Sequence, residues 1–202
     1  MEKYNPKTPM MTKKLTGIAT FLIFFLFLSP TLHSQEAKEP DTYVSDNANI
    51  HFFASTVMED IEATSKAGVC ALNTKTKKIS AKVAMTSFEF RRKKMQEDFD
   101  EDYAESAKYP YAILNATIVE NINLTKDGTY DVTLKGTFEM HGVKQDREIK
   151  GKLTIKNGHP ASATAQFEVK LVDHKIKVPT IVVMKIAEVV KVNVDLTFKK
   201  YQ

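Results

Sequence analysis

The chain contains no tryptophan and a single cysteine, Cys70, so no internal disulfide can form. Cys70 sits in the apolar-leaning run 68–72, where a small buried hydrophobe is the expected role. Nothing beside it supplies the histidine or electropositive setting that a nucleophilic thiol needs. The five histidines (His33, His51, His141, His159 and His174) show no close metal-ligand spacing. His141 falls on the polar face of its strand, beside a turn, and is expected to stabilise that turn. The chain also lacks G-x-S-x-G, G-x-x-x-x-G-K and G-x-G-x-x-G, so no hydrolase elbow, phosphate cradle or dinucleotide fingerprint is present. The expectation is a non-enzymatic protein without a cofactor or metal.

Excess positive charge is scarce too. The formal charge is +4, but Lys3, Lys7, Lys13 and Lys14 against Glu2 place most of the excess in the first 34 residues. The remaining chain is nearly neutral, which argues against nucleic acid as a partner. Asp98, Asp100 and Asp102 alternate as in a calcium loop, but Tyr103 and Tyr109 stand where such a loop needs Gly and Glu. A solvated helix face is expected instead.

Long hydrophobic runs are missing as well. The longest, residues 18–28, has four phenylalanines and no charge, but falls short of the ~20 residues that span a bilayer. It follows Lys13 and Lys14 and precedes Ser29, Pro30 and Ser34, the arrangement of a secretory signal peptide. Residues 1–34 are assigned to that peptide, with Met1, Met10 and Met11 as candidate starts. A permanent anchor is the alternative. Residues 35–46 are polar, contain Pro40 and read as a flexible lead-in. The folded domain is assigned to 47–202.

What the chain has in quantity is alternation. Tyr130, Val132, Leu134, Gly136, Phe138 and Met140 share one face of a long strand, against Asp131, Thr133, Lys135, Thr137, Glu139 and His141 on the other. Gly142 supplies a turn, and Ile149, Gly151, Leu153 and Ile155 continue the apolar face on a second strand. A lone hairpin is unstable in water, so further strands must cover it.

The remaining segments supply those strands. Alternation places them at 49–54, at 57–65 and 67–72 on either side of Lys66, at 79–90, at 111–121, at 161–169 and at 190–199. Met95, Phe99, Tyr103 and Ala107 recur every fourth residue, which predicts one helix over 96–108, stopped by Tyr109-Pro110. Asn157-Gly158 marks a tight turn. Pro179 makes 177–185 a loop. The fold expected is all-β: an antiparallel, lipocalin-like barrel of about eight strands with one inserted helix.

Three segments resemble a known family. Phe88-Glu89-Phe90, Met95 to Phe99 and Tyr103 to Pro110 resemble the helix and Tyr-Pro segment of the YceI-like family. Lys135-Gly136-Thr137-Phe138-Glu139-Met140-His141-Gly142-Val143 is similar to its glycine, strand and His-Gly-Val signature. Lys185 to Glu188 is similar to its C-terminal end. The resemblance implies an exported bacterial barrel, periplasmic or secreted, that binds polyisoprenoid chains such as quinones or polyprenyl phosphates and is not an enzyme. Transient contact with a membrane surface is compatible with it, and the oligomeric state has no signature. One departure stands out: many members carry Arg-Asp before the helix, where this chain has Arg91-Arg92-Lys93-Lys94.

The expected apolar lining is Phe52, Met85, Phe88, Val132, Leu134, Phe138, Met140, Phe167 and Val194. Arg91 and Arg92 would form a positive collar for an anionic head group, since the Arg fork suits phosphate. The alternative is a barrel with a packed interior that presents 96–108 or 177–185 to a protein partner in the cell envelope.

Overall fold

The computed structural model describes residues 41–55, 60–177 and 188–201. The segment 1–34 expected to be a signal peptide, residues 35–40 of the expected lead-in and nearly all of the expected 177–185 loop lie outside the described residues. The strands are β1 (Thr42–Ser55), β2 (Asp60–Asn73), β3 (Lys78–Ala84), β4 (Glu89–Phe90), β5 (Tyr111–Ile118), β6 (Gly128–Met140), β7 (Val143–Lys156), β8 (His159–Lys170), β9 (Val189–Thr197) and β10 (Lys199–Lys200). One helix, α1 (Lys93–Asp98), continues into a π-helical turn, Phe99–Tyr103. The eight long strands pair antiparallel with their neighbours in chain order, and β9 returns to β1. The sheet is therefore a closed up-and-down barrel, which hides the strand edges that an open sheet would leave bare.

The β6–β7 hairpin pairs without a shift from Gly128↔Ile155 to Met140↔Val143. His141 (φ 53°) and Gly142 (φ 70°) make its two-residue turn. Two positive φ values give the turn whose twist matches the strands. A Cβ on Gly142 would lie 2.7 Å from Cε1 of Tyr109, so glycine also admits that ring. Asn157 (φ 54°) and Gly158 (φ 75°) repeat the device between β7 and β8.

β1 begins at Thr42, so residues 42–46 belong to the barrel and not to a flexible lead-in. β2 is one strand, not two. Its buried residues shift from Ala63 and Ser65 to Gly68, Cys70 and Leu72 across Lys66-Ala67. β1 shifts likewise across Asp46-Asn47, and the β1–β2 register slips at the same level. An extra residue in each strand reverses its faces, which breaks the alternation at Lys66 without ending the strand. Residues 85–90 are likewise not a continuation of β3: Met85–Ser87 form a 3-10 turn before the short β4.

The helix is shorter than the predicted 96–108. Ala104 donates its amide to the Phe99 carbonyl at 2.7 Å, a five-residue step. That extra residue changes the phase, so Ala104 is buried and Ala107, expected on the apolar stripe, is exposed. Asp100 is tied in rather than merely solvated: its carboxylate accepts from Ser106 Oγ at 2.7 Å and from Gln96 Nε2 at 2.8 Å.

One end of the barrel is filled by Leu72, Ile149, Leu153 and Ile155, with Ile118, Leu124 and Val132 around them. The other end carries the helix and an aromatic cluster. Phe52 packs on Phe88, Phe90 and Phe99 at ring-centroid distances of 5.4, 5.5 and 5.7 Å.

Candidate functional site

Beyond the filled end the inward faces do not meet across the barrel. They enclose a cavity of about 480 Å³, within the ~300–1,000 Å³ range of small-molecule sites. This departs from the packed interior of the alternative expectation. All nine residues predicted to face inward line it: Phe52, Met85, Phe88, Val132, Leu134, Phe138, Met140, Phe167 and Val194. Alternation brings those on the long strands there, since one face of each strand must point into a closed barrel, while Met85 and Phe88 are turned inward by the 3-10 turn and its end.

Small side chains leave the space open. Ala81, Ala163 and Ala165 stand on the wall where larger residues would fill the centre. The mid-strand glycines act differently. A Cβ on Gly136 would lie 2.1 Å from the Asn115 carbonyl oxygen, and one on Gly151 would lie 2.5 Å from that of Thr164. Both glycines permit close approach of a neighbouring strand, a bend in the wall rather than a contact kept for a ligand.

Polar groups border the cavity along the wall, at Lys82, Lys152 and Thr164, and at the aromatic end. Asp98, Tyr103 and His141 line it there. Burial, followed by the nearby carboxylates of Asp98 and Asp102, pushes the Tyr103 phenol up. His141 is nearly enclosed: its Nδ1 lies 3.0 Å from the His174 carbonyl, so Nδ1 carries a proton and donates. Its Nε2 lies 3.4 Å from Glu105, and its ring sits 4.3 Å from that of Tyr109. The expected turn role for His141 thus comes with a place on the cavity wall. Cys70 is also on the wall, and burial pushes its thiol up to about 12.

Arg91 and Arg92 follow Phe90, which lines the cavity, but are not among the described lining residues. Arg91 is exposed and lies 3.9 Å from Glu62, and the Arg92 guanidinium lies 3.7 Å from the Met95 sulfur. Lys94 is ion-paired with Asp98 at 2.6 Å. Sequence reasoning passed over His174, Gln145 and Arg147. Gln145 and Arg147 carried a signal, because they interrupt the apolar parity of β7 at the positions opposite Phe138 and Gly136. Among the described residues no cluster of His, Cys, Asp and Glu could hold a metal ion.

An eight-stranded antiparallel barrel around an apolar hollow defines the class: a lipocalin-like barrel. The particular family follows from the sequence match. A model of the YceI-like domain covers residues 42–198, so the chain belongs to the YceI-like family.

Three solved structures share the fold. A polyisoprenoid binding domain from Saccharophagus degradans, implicated in plant cell wall breakdown, aligns at TM-score 0.63 and 13% identity, covering 81% of this chain and 100% of its own. BcnA of Burkholderia cenocepacia aligns at 0.57 and 14%, covering 74% and 95%. A Campylobacter jejuni YceI protein aligns at 0.52 and 16%, covering 67% and 81%. No curated protein matches the sequence significantly.

Proposed function

We propose that this protein is an exported, non-catalytic lipid carrier that holds an isoprenoid chain inside its barrel. The observation that carries this is the apolar cavity of about 480 Å³, walled by the nine predicted residues. At ~0.8 kcal/mol per buried CH2-sized group, each five-carbon unit contributes about 4 kcal/mol. A few such units outweigh an association cost of ~4–15 kcal/mol. The polyisoprenoid binding of the Saccharophagus domain, named for that activity, supports the same ligand class here. The run 18–28 and its flanks support export to the periplasm or beyond.

A quinone-type head suits the aromatic end better than a phosphorylated one. Tyr103 can donate a hydrogen bond to a quinone carbonyl there, while the His141 Nδ1 proton is held by the His174 carbonyl and Asp98 by Lys94. The segment Glu97–Asp102 is acidic and would repel phosphate. Arg91 and Arg92 would engage only a phosphorylated head.

Two measurements test the proposal. Native mass spectrometry of the gently purified protein should show a bound hydrophobic mass, and extraction should yield an isoprenoid. A protein that stays empty after incubation with both a long-chain quinone and a polyprenyl phosphate would sink it. Replacing Arg91 and Arg92 with Ala should weaken the phosphorylated ligand alone.

A further inference from the structure

β7 and β8 pair along only part of their length. Their ladder runs from Lys156↔His159 to Gly151↔Ala165 and stops, although both strands continue towards the aromatic end. Beyond that point β7 stays paired with β6 through Val143, and β8 stays paired with β9 through Lys170. The strands press together at Gly151 and then part, leaving a seam in the barrel wall.

A groove of about 630 Å³ lies in this seam. Phe167 walls both the groove and the inner cavity. Lys152 and Thr164, paired just before the fork and exposed on the outside, also border the inner cavity. The two spaces are thus separated at the seam by very little protein.

Side chains take over where the ladder ends. Gln145 Nε2 donates at 2.8 Å to the carbonyl of Asp173, in the 3-10 turn Leu171–His174 that follows β8, and the Arg147 guanidinium donates to the Glu168 carbonyl on β8. Both come from the inward parity of β7, and Arg147 stands opposite Gly136, which has no side chain to obstruct it. The β2–β3 ladder also ends early, at Val69↔Lys82. There, however, β4 pairs with Ala63 and Thr64, and Ser65 Oγ lies 2.7 Å from Ser87 Oγ. Backbone closes that gap. Two long side chains, which change rotamer far more easily than a ladder breaks, span the other.

The geometry points to the β7–β8 seam as the passage through which an apolar chain enters and leaves the barrel, with Arg147 and Gln145 as its latch. This rests on the proposed function only in requiring that the cavity accept a hydrophobic guest. A neutral apolar dye, N-phenyl-1-naphthylamine, supplies one whose uptake does not depend on the natural lipid.

In stopped-flow measurements on the mature chain, Gln145→Ala with Arg147→Ala should speed dye uptake and release alike by about tenfold, because the closed seam loses its cross-strand hydrogen bonds. The equilibrium affinity should change less than about twofold, since the guest's surroundings inside are kept. A second pair, Glu148→Cys with Glu168→Cys, places thiols opposite each other in the extended register of the seam. Bridging them with dibromobimane should slow uptake about tenfold relative to the unbridged pair, as expected when opening becomes limiting. Unchanged rates in both pairs would overturn the passage. Dye exchange that follows the latch in a protein that stays empty after incubation with both lipids would sink the carrier function and leave the passage standing.

Discussion

Nδ1 of His174 lies 3.2 Å from the carbonyl of Met140 and the same distance from that of Val143. Two acceptors at one ring nitrogen require that it carry the proton, so this fully buried neutral imidazole clamps both strands of the β6–β7 hairpin just beside the turn. Burial holds the imidazolium form of His174 below the ordinary 6.5. The unfolded chain then binds the proton first as pH falls. Stability should be full above pH 6.5 and decline below it, and thermal melts across that range check the slope. His174→Gln should flatten the decline and lower the stability at neutral pH by about 2–4 kcal/mol. An unchanged slope in the variant would refute the assignment.

Asp127 acts in a lower window. Its carboxylate accepts the amides of Gly158 at 2.7 Å and Asn157 at 3.0 Å, which hold it below the ordinary 3.8. The contact joins the β5–β6 connection to the β7–β8 turn. Its contribution is present above pH 3.8 and is lost as pH falls through the depressed value. Asp127→Ala should lower the melting temperature and speed amide exchange at Gly158.

Gly136 has no room for a side chain. Its Cβ would meet backbone, 2.1 Å from the Asn115 oxygen and 2.5 Å from the Ala116 Cα, and backbone in a ladder yields poorly. Gly136→Ala should destabilise the protein by about 2–4 kcal/mol in urea unfolding. A neutral effect would mean that β5 and β6 separate freely there.

Filling the hollow should separate fold from function. Ala165 lines the cavity, and Ala165→Phe would occupy part of it with an apolar ring. The melting temperature should hold or rise, because the ring gains contacts in empty space. Lipid content measured after extraction should fall several-fold, as steric loss of guest volume requires. Retained lipid at full occupancy would place the ligand elsewhere.

Cys70 should be inert while the protein is folded. Burial pushes its thiol up to about 12, so almost no thiolate forms at pH 8. Iodoacetamide should label it only after denaturation.

Alternation determined most of the long strands, the antiparallel barrel class and the inward residues that lie on those strands, because a strand's side chains have no choice but to alternate; Met85 and Phe88 face inward through the 3-10 turn instead. Gly142 and Asn157-Gly158 were legible for a related reason: a turn with two positive φ values admits few residue types; His141, read as the end of the strand, joins the turn in the structure. The tertiary structure alone decided the rest. The phase reversal at Lys66 needed the paired shift in β1, which no single stretch of sequence reveals. The π turn that buries Ala104 and exposes Ala107 hangs on one five-residue hydrogen bond. The hollow itself was beyond reach of local pattern, since whether facing side chains touch depends on the barrel's width. So was the seam, because the point where β7 and β8 part is fixed by contacts between residues distant in the chain.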